Sequence, residues 1–580
     1  MKHLSSFLRG SLPAALLLLL WLAGPAARAQ APAWQTAMAV SGNGSSAVNA
    51  MATDANGNVY LVGDFRFTLR VGSFSLTSVG LTDIFVAKWS TASNSFVWAQ
   101  RAGGINEDYA NAISVNGTNI YIAGRFSSAA ASFGSTVLTN TGNYSNFSYS
   151  DVFVAKLTDG GSSGSFIWAQ SAGGAYVSEA TALAVSGTSV YVAGNFSGPA
   201  SFGTTTLAAA GPPPYSNSDV FVAKLTDAGP SGSFGWAQRA GGTGIDKISA
   251  MAANATGIYV TGNFYSSTAD FGATTLSSIG ATLFVAKLLD LGTSDTFSWI
   301  QQGGGPAGDV ANALVLNGTS LYIAGDFGSP TVSFGTSILT NANTNGSGEV
   351  FVAKLTDLGT GSTWNWAQRA GGSATDYANS LAVSGINVYV TGGFRSSTAG
   401  FGSTIITNAA ATGNEDIFVA KLLDGNSSAT WQWAQRAGST SSDVGQSLAM
   451  VGTTLFVAGN SGSGATFGSL SLSGIGGGFL ATLTDPTLTA TSAAQISLSF
   501  TLAPNPARTA ATLTLPALPG TGMATLTLRD ALGRTLRTET VALPAAGLRH
   551  PLDLRGLAPG IYAVQVQAGS TAATRRLVVE

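Results

Sequence analysis

No cysteine occurs among the 580 residues, only two histidines do, and charged side chains make up 9% of the chain. The lack of cysteine excludes disulfides, a thiolate nucleophile and thiolate metal ligands. The two histidines are His3 and His550, so nothing between them supplies an imidazole, and much nucleophilic and metal chemistry is excluded with it. A charged fraction of 9%, against roughly a quarter in an average soluble protein, leaves solubility to Ser, Thr, Asn and Gly. Long apolar runs are equally scarce: the run at 12–22 is well short of the roughly 20 residues that span a bilayer. What the chain does have is 45% hydrophobic residues, with 29 Phe, 14 Tyr and 11 Trp. That is too rich for a disordered chain and ample for several cores.

Residues 1–29 carry Lys2 and Arg9, then the apolar run, then Ala27-Arg28-Ala29 with small residues where a signal peptidase reads. We read them as a secretory signal peptide cut between Ala29 and Gln30, leaving a mature chain without a transmembrane segment in a non-cytoplasmic compartment.

Internal repetition dominates the rest. Trp34, Trp98, Trp168, Trp236, Trp299, Trp366 and Trp433 are spaced by 64, 70, 68, 63, 67 and 67 residues. WAQRAGG or WAQSAGG surrounds several of them, and FVAK recurs at Phe85, Phe153, Phe221, Phe284, Phe351 and Phe418, surviving as FLAT at 479–482. Each repeat offers four short strand signals, as at 110–115, 120–124, 151–157 and 166–170. Asn-Gly or Ser-Gly dipeptides between the first two permit the positive φ of tight hairpins. Longer stretches between the second and third strands carry an F-G step and read as extra hairpins or rim loops. Repeats of four strands that cannot bury both faces alone stack radially. The expected fold is all-β: a seven-bladed β-propeller over 31–484, closed by an N-terminal strand because the last repeat stops after its third. A linker at 485–498 and a small C-terminal β-sandwich at 499–580 follow.

Asn58 to Gly63, Asp151 to Lys156 and Trp168 to Gly174 together resemble the bacterial β-propeller repeat family called SBBP. The resemblance implies the fold over about 33–484 and brings no catalytic residues with it.

Composition shifts at the tail: residues 499–580 hold 8 Arg and 4 acidic groups, net +4, whereas 31–498 is net −9. The segment carries Pro504-Asn505-Pro506, Asp530 with Gly533-Arg534, Pro559-Gly560-Ile561-Tyr562 and a basic-then-apolar end. It resembles the type A C-terminal sorting domain of the type IX secretion system of Bacteroidota. The resemblance implies a partnership with that machinery, passage through the periplasm and a secreted or outer-surface location.

Candidate chemistry in the repeats is sparse. Asp108, Asp246, Asp309, Asp376 and Asp443 begin the innermost strand of five repeats, with Ser46 and Ser178 at the equivalent places. A ring of carboxylates binding a cation such as calcium is one reading; turn capping, a habit that Asp and Ser share, is the preferred one, so no cofactor is expected. Asp54-Ala55-Asn56-Gly57-Asn58 looks like the start of a calcium loop but lacks the downstream Glu. The lysines at 88, 156, 224, 287, 354 and 421 read as solvation or edge protection. Phe96, Phe166, Phe234, Phe297, Trp364 and Trp431, each two residues before a Trp, read as packing between blades. Glu107 and Glu179 depart from the repeat pattern and are the first acids to test for a glycan-degrading activity. The expectation is a non-enzymatic exported scaffold for adhesion, binding glycans or surface proteins; the alternatives are a carboxylate-dependent glycan-degrading enzyme and a purely structural surface protein. The net −9 of the repeats disfavours nucleic acid.

Overall fold

A computed structural model describes residues 31–580 apart from 143–148, 212–216, 279, 344, 411–412, 473, 486, 489–499, 516–522, 531–533, 545–546 and 569–570. The expected signal peptide, its expected cut site at Ala29 and Gln30, and most of the expected 485–498 linker lie outside the described residues. The chain divides into two compact units, residues 1–487 and 488–580, and the described residues contain no helix.

The first unit is built of seven antiparallel sheets with four principal strands each, two of which are extended to six strands by a hairpin. In the second sheet the inner strand Asp108–Asn116 is followed by Asn119–Phe126, Asp151–Asp159 and the outer strand Gly164–Ala172. Gly117, at φ 62°, supplies the left-handed turn between the first two. The third strand, DVFVAKL, is buried on both faces and reads as a continuous apolar run, whereas the inner strand alternates. The cores lie between sheets. Val62, Val86 and Trp98 of the first sheet pack with Ile113, Ile122, Phe153 and Leu157 of the second.

Every inner strand carries one β-bulge, at Asn49, Asn111, Thr181, Ser249, Asn312, Asn379 and Gln446. A bulged residue is released from the ladder, and five of these reach the next sheet. Asn49, Asn111, Thr181, Asn312 and Asn379 donate to the backbone oxygens of Ala110, Ala180, Ile248, Ala378 and Gly445 at 2.8–3.1 Å.

The strand Trp34–Gly42 pairs with Gly477–Thr484, from Trp34 opposite Leu483 to Val40 opposite Gly478, and supplies the outer strand that the last repeat lacks. Consecutive inner strands lie side by side, and Val444–Val451 of the seventh sheet lies beside Ser46–Thr53 of the first. There Val48 N donates to Asn460 Oδ1 and Met51 N to Ser447 Oγ, both at 3.1 Å. Among the described residues no individual sheet closes on itself.

This ladder corrects the alignment of the first tryptophan. Trp34 faces Leu483 as Phe166 faces Leu157, and Thr36 faces Thr482 as Trp168 faces Lys156. Trp34 is therefore the equivalent of Phe166, and Thr36 takes the Trp position. A two-residue offset is invisible among spacings that vary from 63 to 70.

The F-G steps form hairpins such as Ala130–Phe133 with Thr136–Thr139. Each hairpin lies against the outer strand of the preceding sheet. Val40 pairs with Val71 and Ala240 with Phe271 in ladders; Gly103–Ser132, Gly173–Ser201, Gly304–Ser333, Gly371–Gly400 and Gly438–Thr466 are single bridges. Sequence repeat and sheet are thus offset, and each outer edge is covered by the next repeat. Gly103 has φ 128°, and a Cβ there would sit 2.8 Å from Asp83 Oδ1 and 2.9 Å from Asp108 Oδ2. Gly103→Ala is expected to cost about 1–3 kcal/mol in urea unfolding. Gly117→Asn, where a Cβ meets nothing within 4 Å, is expected to cost clearly less, because Asn tolerates the left-handed region.

The second unit has a three-stranded sheet, Thr501–Ala503, Ala510–Leu515 and Leu548–Asp553, and a four-stranded sheet of Thr535–Ala542, Met523–Arg529, Gly560–Ala568 and Thr571–Val579. Phe500, Leu513, Leu526, Val564 and Leu577 share one core between the two.

Candidate functional site

The repeated lysines are not surface solvation, and this is the largest correction to the sequence reading. Each donates to an aspartate of the following sheet: Lys88 to Asp159, Lys156 to Asp227, Lys224 to Asp290, Lys287 to Asp357, Lys354 to Asp424 and Lys421 to Asp485, at 2.6–2.7 Å. No side chain in these pairs is more than 17% exposed. The acceptor oxygen also takes the hydroxyl of Tyr60, Tyr121, Tyr191, Tyr259, Tyr322 or Tyr389 at 2.6–2.9 Å. In five joints the other carboxylate oxygen takes a Trp Nε1 at 2.9–3.1 Å. Tyr, Lys and Trp stand at mutually paired positions on three adjacent strands of one sheet, and the Asp ends the third strand of the next. Such an arrangement satisfies a buried ion pair with further hydrogen bonds, as burial requires. Asp485 belongs to the sixth of these joints, so the first unit extends past the expected boundary at 484.

The joint between the seventh and first sheets is different. Phe456, Thr482 and Thr36 stand where Tyr, Lys and Trp stand elsewhere, with Thr36 and Thr482 hydroxyls 2.7 Å apart. Thr91, three residues after Lys88, replaces the Asp. All four positions changed together, and no unpaired charge remains.

The five inner-strand carboxylates each turn into their own sheet rather than into a shared site. Asp108 accepts from Gly104 N (2.7 Å), Ser127 N (3.1 Å), Ser128 N (3.2 Å) and Ser128 Oγ (2.7 Å). Asp246, Asp309 and Asp376 have equivalent partners, and Asp443 accepts from Ser439 N, Ser439 Oγ and Gly462 N. Ser46 and Ser178, at the same position, are also buried. Among the described residues no group of three or more His, Cys, Asp or Glu could hold a metal. Asp54 Oδ1 accepts from the amides of Asn56 and Asn58, closing its own turn. Glu107 pairs with Arg66 at 2.5 Å and Glu179 with Arg125 at 3.7 Å, at two different joints. The aromatics before each Trp lie under the hairpins. Phe166 meets Phe133 edge to face at 5.8 Å, and Trp364 and Trp431 meet Phe334 and Phe401 likewise.

Two sets of carboxyls are shifted in opposite directions. Burial pushes Asp159 and Asp227 up, but hydrogen bonds from their Lys, Trp, Tyr and Gly partners together overcome it and hold them below the usual range; Asp290, Asp357, Asp424 and Asp485 follow. Burial pushes Asp64 and Asp108 up to about 6 and Asp326 up to about 7. The depressed group stabilises the fold above the unfolded carboxyl pKa of about 3.9, an effect lost as pH falls through their folded values. The raised group stabilises the protonated fold, an effect lost as pH rises through about 6 to 7. Thermal melts are therefore expected to peak near pH 4–5 and to fall on both sides; a flat profile from pH 5 to 8 would contradict the raised set.

A groove of about 430 Å³ lies beside the outer strand of the fourth sheet, lined by Ser277, Ser278, Thr282, Gln302, Ser333 and four glycines. Sequence periodicity gave no signal for its uncharged lining, because that lining is found where one repeat departs from the others. A smaller groove of about 390 Å³ at the third sheet is lined by Thr206, Gln238, Arg239 and Asp270, among others.

In the second unit, Asn505 between Pro504 and Pro506 donates from Nδ2 to Arg576 O (2.7 Å) and accepts from Val578 N (2.9 Å), tying that turn to the last strand. Arg534 bonds Asp530 through its backbone N and its Nε, at 3.0 and 2.7 Å. Pro559 and Gly560 open the strand in which the Tyr562 hydroxyl donates to Ala558 O at 2.7 Å. Gly533 lies outside the described residues.

No curated protein matches the chain. Residues 501–580 match the family model described as the secretion system C-terminal sorting domain. That tail supports secretion by the type IX system, and implies interaction with its machinery and a secreted or cell-surface location.

Proposed function

We propose that the chain is a non-enzymatic adhesion scaffold of a Bacteroidota-like bacterium, exported through the periplasm by the signal peptide at 1–29 and delivered to the outer surface or medium by its tail. Its first unit is a closed seven-bladed β-propeller of SBBP type that presents rim loops and hairpins to glycans or surface proteins. Closure is supported by the pairing of Trp34–Gly42 with Gly477–Thr484 and by the contact of the seventh inner strand with the first. The observation that carries the function is the use of the ionisable side chains. Lysines and aspartates recur at equivalent joints and are consumed there, which assigns them to architecture and leaves recognition to the polar rim. The test is the purified full chain on glycan and surface-protein arrays, with turnover followed in parallel. Binding without cleavage is the expected result. Cleavage abolished by changing Glu107 or Glu179 would replace this reading with a hydrolase, and silence on both arrays would leave a structural protein.

A further inference from the structure

The groove of the fourth sheet differs from its equivalents in one coordinated way. An acid at the start of the third strand is paired with an Arg of the outer strand in four sheets: Asp83 with Arg101, Asp219 with Arg239, Glu349 with Arg369 and Asp416 with Arg436. In the fourth sheet both members are replaced, by Thr282 and Gln302. Losing both leaves a hydroxyl and a carboxamide where an ion pair bridges those four sheets; the second sheet keeps the acid alone, with Asp151 accepting from Thr141 N and Oγ1 at 2.7 and 2.8 Å. Here the groove is about 430 Å³, within the roughly 300–1,000 Å³ of small-molecule sites.

We propose that this groove binds a neutral carbohydrate; the assignment rests on the surface-binding reading above and names its ligand class. None of the lining side chains is ionisable, so a phosphorylated, sulfated or carboxylated ligand finds no counter-charge. None is apolar, so a peptide finds no pocket for an anchoring side chain. What remains is a set of groups that both donate and accept, the complement of a polyol. Gln302 is held in place: its Nε2 donates to Ser277 O at 3.0 Å, and its backbone O accepts from Trp364 Nε1 at 3.2 Å. Its Oε1 and the hydroxyls of Ser277 and Ser333 make no hydrogen bond among the described residues. The glycines at 303–305 and 335 bring backbone to the groove wall without side chains in the way. Trp364 here acts as a positioning residue.

The experiment is saturation-transfer NMR and calorimetry on the full chain, with neutral gluco-, manno- and galacto-oligosaccharides against sulfated and uronic-acid counterparts. Neutral members are expected to bind and charged ones not. The double variant Thr282→Asp with Gln302→Arg restores the ion pair of the first, third, fifth and sixth sheets and is therefore expected to keep its melting temperature. It should weaken binding by about tenfold or more, as for the loss of one or two hydrogen bonds. The matched variant Asp416→Thr with Arg436→Gln should leave binding unchanged. Unaltered binding in Thr282→Asp/Gln302→Arg, or equal binding of charged sugars, overturns the groove and leaves the surface-binding function standing. No glycan bound at all, with a surface protein captured on the array, overturns the groove alone; silence on both overturns both.

Discussion

Removing residues 31–40 is expected to lower the unfolding midpoint of the first unit far more than any single substitution in it. The strand that is lost pairs along its length with Gly477–Thr484, and buries Trp34 and Val40. Ladder hydrogen bonds at roughly 1 kcal/mol net each give several kcal/mol, and each large apolar side chain withdrawn from the core adds about 1.5–3 kcal/mol. The loss also uncovers the third strand of the seventh sheet and removes the pairing of Val40 with Val71 on the hairpin strand Thr68–Val71. An open edge is an aggregation template. Calorimetry together with light scattering checks both effects. A variant that melts like the parent and stays monodisperse would show that the terminal strand does not hold the first and last repeats together.

Asp227→Ala is expected to be the most damaging single substitution. Asp227 accepts from Lys156, Tyr121, Trp168 and Gly229 N, and Lys156 is 6% exposed, so truncation leaves an ammonium buried without a counter-charge. Removing one partner of such a pair costs about 3–5 kcal/mol. The triple variant Tyr121→Phe, Lys156→Met, Asp227→Leu removes every charge and should regain most of that loss, since apolar replacement of a whole buried pair is often neutral. It leaves the Trp168 indole N–H unpaired, a condition that Trp433 Nε1 already meets in the sixth joint among the described residues. The seventh joint, with Phe456, Thr482, Thr36 and Thr91, shows that the architecture accepts a joint without charge. Denaturant titrations of the three proteins decide the matter, and a triple variant no better than Asp227→Ala would mean that the ion pair is needed for packing geometry itself.

The legible and illegible parts of this molecule separate by distance along the chain. Strands, hairpin turns and the need for an N-terminal outer strand follow from local signals: alternation, Asn-Gly turns and a last repeat that ends at FLAT. The tail motifs are legible as short strings, and Asp530 holds its own turn through Arg534, but the partners of Asn505 at Arg576 and Val578 lie 71 and 73 residues away and were not readable. The role of the lysines was not readable, because the partner of Lys156 lies 71 residues away in the next repeat. A clue was present: an Asp stands three residues after Lys156, Lys224, Lys287, Lys354 and Lys421. Its constancy marks a shared task without saying that the two residues of one repeat serve different joints. The bulged Asn of the inner strands hid for a related reason, since a bulge is visible only against the strand it fails to match. The uncharged lining of the groove at Gln302 was invisible because periodicity directs attention to what recurs, and this lining consists of what does not.

The offset between donor and acceptor also bears on how such a chain gains or loses length. Each internal repeat carries a Tyr-Lys-Trp face for its successor and an Asp for its predecessor, so a segment duplicated or deleted in whole-repeat steps by recombination brings one of each. Every new boundary is then already complementary. A cut out of frame with the repeat would instead leave an unmatched ammonium on one side and an unmatched carboxylate on the other. The uncharged first and last faces are the fixed termini of this grammar, and the number of units between them is left to geometry.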